Sequence, residues 1–404
     1  MTTADSEARR TAIILASSQA IVGSAAVICI SLGGLAGHFL LGADKSLATA
    51  PVTGFNVGVA AGAIPAALII RALGQRGGFL SGTGITALGG LIATLGLFQG
   101  AFWLFAFGLL VVGIGGAFVQ QFRFAAADNA PAAFKARAIS FVLAGGVITG
   151  IIGPQIVIFT RELLPVPFAG SYAAILVLAA VGAMLLAFLR VRSGIAGPSA
   201  TTDLPARPLR QVVTQPRFMV ALACGVGSYA LMSFVMTGAP LAMVGCGFTP
   251  DEAALGISWH VLAMFGPSFI TGRLIQRFGV ENVVGFGLTL LILCAIIALS
   301  GIQLWQFWTS LILLGLGWNF GFIGATAMVA ETYRPSEKGR VQGFHDFVLF
   351  TSVALASLLS GTVYNHWGWE ALNWVVFPVT ALCIAALAWL VVISRRRTPG
   401  VAAG

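Results

Sequence analysis

Two short patterns hold the chain's clearest capacity for chemistry: Met232-x-x-x-Met236 and His260-x-x-x-Met264. Side chains four residues apart share one helix face, so each pattern turns two metal-capable atoms to the same side. Thioether sulfur is a soft ligand suited to Cu(I), and imidazole accepts copper as well. A single Met pair is more often a gap-filler in a core than a ligand. Here four of the eight methionines (Met232, Met236, Met243 and Met264) fall within 33 positions, beside one of only four histidines. Met232, Met236, His260 and Met264 are therefore the expected metal site, with copper as the substrate rather than a resident cofactor.

The elements that must position these residues are membrane helices. Of the 404 residues, 58% are hydrophobic and 9% charged, and the mean hydropathy is +0.96. A soluble domain carries about 25% charged residues, so lipid must solvate most of this surface. The 51 glycines fit packing in a bilayer, where small residues let backbones approach. Apolar runs near the ~20 residues one crossing needs recur about twelve times, from about 12–36 to about 371–393. The Met pair falls in the seventh run and the His–Met pair in the eighth, both roughly 10–20 Å below the same membrane face at the helical rise. Residues 1–10 are polar and the run after them is long enough to span, so no cleavable secretory signal is expected. The five cysteines show no C-x-x-C and no disulfide framework.

Basic residues set the expected orientation. Arg9, Arg10, Arg71, Arg76, Lys135, Arg137, five arginines from 190 to 217, Arg273, Arg277, Arg334, Lys338, Arg340 and Arg395 to Arg397 share one side if there are twelve crossings. The opposite loops hold Lys45 and Arg161, next to Asp44 and Glu162. This is the positive-inside pattern. It implies a multi-pass membrane protein with both termini cytoplasmic, and it accounts for the +9 net charge without invoking nucleic acid. A Pro-rich linker, 191–216, divides the chain into six-helix halves, 1–190 and 217–404. The halves echo each other: Arg71-Ala-Leu-Gly-Gln-Arg76 resembles Arg273-Leu-Ile-Gln-Arg277, and Lys135-Ala-Arg137 resembles Lys338-Gly-Arg340.

Parallel repeats about an axis along the membrane normal are the major facilitator arrangement, and the chain resembles that superfamily over nearly its whole length. The loop around Arg71 and Arg76 is similar to a degraded form of the superfamily's Gly-x-x-x-Asp-Arg-x-Gly-Arg motif. The resemblance implies an all-α membrane protein of twelve transmembrane helices in two pseudo-symmetric halves, with the loop acting as a latch. A narrower resemblance, to the CcoA-like copper transporters, rests on Met232, Met236, His260 and Met264 in the seventh and eighth helices. It implies copper import across the bacterial inner membrane by alternating access, in support of cbb3-type cytochrome oxidase assembly, with a copper-accepting protein on the cytoplasmic side. It also marks Cys224 and Cys246 as candidates for a thiol relay; buried small hydrophobes are the equal alternative.

Charged groups inside the apolar runs are expensive and tend to be functional. Arg123, Asp128, Arg273 and Asp346 are the candidates for gating or coupling. For Asp346 and Glu331 the competing expectation is simple pairing with Lys135, Arg137, Arg334 and Arg340. Asn56, Trp318 and Asn319 are expected along the cavity. No Gly-x-x-x-x-Gly-Lys-Ser/Thr loop is present, which disfavours ATP-driven pumping, and no nucleophile–base constellation points to an enzyme. The alternative to copper is a major facilitator carrier of an organic solute, such as riboflavin or a drug, whose apolar pocket the methionines would merely line.

Overall fold

Long apolar runs in lipid have few options, and the helix satisfies every backbone N–H and C=O within its own segment. In the computed structural model, which describes residues 3–131, 135–189 and 206–396, the chain is helical from end to end, with no strand among the described residues. The first group of helices comprises α1 (Thr3–Val22), α2 (Ser24–Leu40), α3 (Ala50–Phe98), α4 (Phe102–Gln120), α5 (Phe122–Asp128), α6 (Lys135–Thr160) and α7 (Ala169–Ala187). A short α8 (Leu209–Val213) leads into the second group. That group holds α9 (Pro216–Gly245), α10 (Pro250–Phe265), α11 (Ser268–Phe278), α12 (Val280–Leu299), α13 (Leu304–Ala330), α14 (Lys338–Trp374) and α15 (Val376–Arg396).

Among the described residues, nine helical stretches are long and apolar enough to cross a membrane, and α10 with α11, bent by 43°, makes a tenth. Two of the nine are far longer than one crossing requires: α3 has 49 residues and the stretch Arg340–Ile393 has 54. Each breaks at a glycine, Gly74 (φ 73°, ψ 169°) and Gly368 (φ 75°, ψ −171°). These are backbone conformations that a Cβ disfavours. With each stretch folded back on itself, the chain makes the expected twelve crossings, and its two ends lie on the same side.

The two latch-like loops turn differently from the sequence match between them. The chain reverses at Gly74, before Gln75 and Arg76, in the first group. It reverses at Gly279 (φ 85°, ψ 149°), after Gln276 and Arg277, in the second. The turns are equivalent in backbone form, but the aligned Gln-Arg pairs fall on opposite sides of them. The expected linker lies largely outside the described residues, which resume at 206. Its last part is not a free loop. Arg207 makes a paired hydrogen bond to Glu337, Nε to Oε1 at 2.8 Å and Nη2 to Oε2 at 2.7 Å, and also donates to the Thr332 carbonyl at 2.9 Å.

Packing keeps the groups distinct but interlocked. One buried cluster draws on Val212 to Leu390 and includes Val27; another, centred on Ile28, Phe105 and Tyr172, includes Leu241 and Ala254. Hydrogen bonds and ion pairs between described residues of the two groups gather toward the membrane face away from the termini. The Thr49 hydroxyl donates to the Ser357 carbonyl at 3.0 Å and accepts from the Gly361 amide at 3.1 Å. Thr362 bonds the Ser46 carbonyl at 3.3 Å, and Ser258 bonds the Gly150 carbonyl. Arg161, closing α6, forms a two-pronged pair with Asp251 in the first turn of α10, at 2.6 and 3.2 Å. A capping box fixes that turn: Thr249 accepts from the Glu252 amide at 3.2 Å, while the Glu252 carboxylate accepts from the Thr249 amide at 2.8 Å.

Candidate functional site: the central cavity

Between the two groups lies a cavity with about 170 Å³ open to the centres of water-sized molecules. Helices α1, α2, α3, α4 and α6 wall one side; α9, α10 and α14 wall the other. None of the lining side chains carries a formal charge. The first group contributes Gln19, Asn56, Thr86, Gln120 and Thr149, and the second contributes Tyr229 and Ser233 among apolar neighbours.

Met232, Met236 and Met264 all line this cavity; His260 does not. His260 is fully buried on the face of α10 that packs against α13, and its Nδ1–H donates to the Leu311 carbonyl at 2.8 Å. Its Nε2 has no hydrogen-bond partner. Three of the four expected ligands, all thioethers, therefore line the cavity, while the imidazole lies against a neighbouring helix. The sequence spacing puts His260 and Met264 on one side of α10, but that side is wide enough to serve both the cavity and the α13 interface.

The bend between α10 and α11 sets where Met264 and Phe265 project. Pro267 cannot donate to the helix ladder, so carbonyls near it need other partners. Asn319 on α13 supplies one: its amide nitrogen donates to the Met264 carbonyl at 2.6 Å and to the Ser268 hydroxyl at 2.8 Å. Its oxygen accepts from Thr271 at 2.6 Å. Asn319 is therefore a brace behind the site and not a lining residue. Trp318 packs in an aromatic stack, 5.4 Å from Tyr229 and 5.1 Å from Phe322 by ring centroids. Of the three polar or aromatic groups expected along the cavity, Asn56 lines it.

The cysteines do not form a path through it. Cys224 is fully buried against α15, where its thiol donates to the Cys383 carbonyl at 3.7 Å; Cys246 is exposed at the far end of α9. Neither lines the cavity, and all five cysteines are free. Among the described residues no group of three or more His, Cys, Asp or Glu gathers as a metal site.

The charged candidates sit on the terminus-bearing side of the cavity. Arg123 is exposed and close enough to Tyr229 and Asp346, both from the other group, to interact with them electrostatically. Asp346 is held by His345 Nδ1 at 2.9 Å, and Glu331 is held by Arg217, which also pairs with Glu281 at 2.8 Å. Asp128 and Arg273 are exposed. Sequence reasoning overlooked Gln19, Thr149 and Ser233; their signal was the same as that of Asn56, an uncharged polar side chain inside an apolar run.

A family model described as Major Facilitator Superfamily matches residues 223–404. The chain is 48% identical over 397 residues to the riboflavin transporter RfnT of Brucella anthropi, covering 98% of both proteins. The chain belongs to the major facilitator superfamily. It is also 31% identical to the uncharacterized MFS-type transporter YddS of Bacillus subtilis, over 94% of this chain and 91% of that one. Among solved structures it resembles the POT family transporter PepTSo, with a TM-score of 0.70 at 13% identity, covering 96% of this chain and 98% of the other. That likeness concerns the fold. The family is one of multi-pass membrane transporters.

These findings overturn the expectation of copper import. A relative matched end to end at this identity is named for an organic solute. The supply of cytochrome oxidase assembly, copper as partner and a cytoplasmic copper-accepting protein are withdrawn with it.

Proposed function

We propose that this chain is a secondary carrier of riboflavin in the cell inner membrane, with both termini in the cytoplasm. The observation that carries this reading is the 48% identity to RfnT across 98% of each chain. The cavity supports it: its lining combines amides, hydroxyls, aromatic rings and thioethers with no charged group, a chemistry suited to a neutral, partly aromatic solute. The basic loops on the terminus-bearing side support the orientation.

The mechanism we read is alternating access about this cavity. The contacts of Thr49, Arg161 and Asp251 close the periplasmic side. Arg123 and Asp346, from opposite groups and both exposed, flank the cytoplasmic approach and are suited to draw together when that side closes. The test is uptake of labelled riboflavin by a riboflavin auxotroph that lacks its own importer. Growth on low riboflavin and saturable uptake are expected with this chain. Uptake no better than that of the empty host, at verified expression, rejects the reading.

A further inference from the structure

The three methionines that line the cavity all reach it from the same group of helices. Met232 and Met236 come from α9 and Met264 from α10. Their aromatic neighbours, Tyr229, Phe265 and Phe350, belong to that same group, with Tyr229 and Phe350 ring centroids 6.2 Å apart. Between Met232 and Met236 lies Ser233, which is 1% exposed and whose hydroxyl has no hydrogen-bond partner. A buried hydroxyl left unpaired is costly unless something supplies a partner.

The other wall also carries a ring, Phe55, and aliphatic side chains, but it alone supplies amides. Gln19, Asn56 and Gln120 face the cavity from α1, α3 and α4, and their side-chain amides have no hydrogen bonds among the described residues. Three amides offer donors and acceptors together, which suits a ligand edge that alternates carbonyl and N–H groups. The second group's wall is sulfur and ring. Thioether sulfur near an aromatic ring is favourable, and flexible Met side chains adapt to a flat surface.

Resting on the riboflavin reading, we infer that the cavity holds a flat heteroaromatic ring between dissimilar walls. The ring's face or rim rests on Met232, Met236 and Met264, its polar edge is read by Gln19, Asn56 and Gln120, and Ser233 takes a hydrogen bond from it. The ring system is therefore the main recognition element, and a polyol chain attached to it is secondary. A ligand held in this way touches both groups of helices at once, so its binding favours states in which the groups are drawn together.

The test uses the purified full-length protein in detergent and three probes: riboflavin, lumichrome (a ring system without the polyol chain) and ribitol (the chain alone). Binding is followed by quenching of ligand fluorescence, with ribitol read as a competitor. Wild type is compared with Met232→Leu, Met264→Leu, Ser233→Ala and Asn56→Ala, each checked by its melting curve. Met184→Leu, at an exposed position, serves as the control. The expectation is that lumichrome binds and ribitol does not compete. Each lining Met→Leu change should weaken riboflavin and lumichrome by the same factor, about two- to tenfold, while Met184→Leu changes nothing. Ribitol competition together with unaffected Met variants overturns the inference while leaving riboflavin transport standing. Lumichrome binding that depends on the methionines, with no riboflavin uptake in cells, upholds the ring site and removes the carrier reading. Absence of binding by both ring probes to folded wild type overturns the inference.

Discussion

Breaking the Arg161–Asp251 pair should open the side of the protein away from its termini. The pair joins the end of α6 to the first turn of α10, and so one group of helices to the other. It has two charge-assisted bonds, at 2.6 and 3.2 Å, between side chains 17% and 35% exposed. Arg161 also lies 3.1 Å from Glu162, but that partner is 76% exposed and contributes little. Fully exposed pairs contribute about 0.2–1 kcal/mol, and hydrogen bonds to charged groups about 1.5–3 kcal/mol. Partial burial places this pair between the two, at about 1–2 kcal/mol, or roughly a 5–30-fold change in the balance between closed and open states.

A double-mutant cycle isolates that quantity. Asp251 also sits at a helix N-terminus, where its charge is favourable on its own account, so Asp251→Asn removes more than the pair. Arg161→Ala, Asp251→Asn and the double variant are compared by distance measurements between spin labels at Gly42→Cys and the native Cys246. Gly42 has open space around it and Cys246 is exposed, and they lie on opposite groups at the same membrane face. The single variants should each populate a longer distance, and the double variant should add little to either. The coupling should shrink in about 1 M salt, where the screening length falls to about 3 Å. Coupling within about 0.3–0.5 kcal/mol of additivity, or distances unchanged in the single variants, would refute the idea that this pair holds the closure.

Three further outcomes follow from the geometry. Asn319→Leu removes the brace behind the α10–α11 bend and should destabilise the protein by about 1–3 kcal/mol, since it leaves a carbonyl and hydroxyls without their partner; an unchanged unfolding midpoint in detergent would contradict the bracing role. His260→Gln should leave riboflavin uptake near that of wild type while costing about 1 kcal/mol of stability through the Leu311 carbonyl, because the ring does not reach the cavity; abolished uptake at normal folded yield would place His260 in the site after all. Glu337, outside the membrane, has its carboxyl held well below the usual carboxylate range, first by the Arg207 side chain and then by the backbone amides of Arg334 and Arg207. Its contribution to stability is complete above about 4.5, the ordinary value, and is lost as pH falls through the lowered folded value. Glu337→Gln should therefore lower the melting temperature at pH 7, with the difference from wild type narrowing below about pH 4.5; a difference that widens in acid would contradict the clamp.

Much of the architecture is legible from one property, the length of apolar runs between basic loops. Lipid allows few backbone solutions, so run length converts almost directly into crossings. What run length could not show is how crossings bend. The breaks at Gly74 and Gly368 fall between expected runs, whereas Pro267 reads as an interruption only once Asn319 is seen bracing it from α13. Long-range partners of this kind have no local sequence period. Loop pairing is hidden for the same reason: Glu331 meets Arg217, more than a hundred positions away. The register of the two latch-like loops also escapes the sequence, because matching Gln-Arg pairs hides a difference in where the glycine turns.

The methionine pattern shows where residue chemistry stops short of function. A four-residue spacing says that two side chains share a helix face; it is silent on whether that face meets an ion or a ring. Thioethers serve both, as soft ligands and as adaptable apolar surface. The deciding information lies in the companions. A Cu(I) site of the expected kind would draw His260 and a thiol toward the same space, whereas neither His260 nor Cys224 lines the cavity that the three thioethers share. The groups that do converge on the methionines are Tyr229, Phe265, Phe350 and the unpaired hydroxyl of Ser233, facing amides across the cavity. Those companions have the character of a site for a neutral ring, and they explain how residues arranged like a metal motif can serve a carrier of an organic solute.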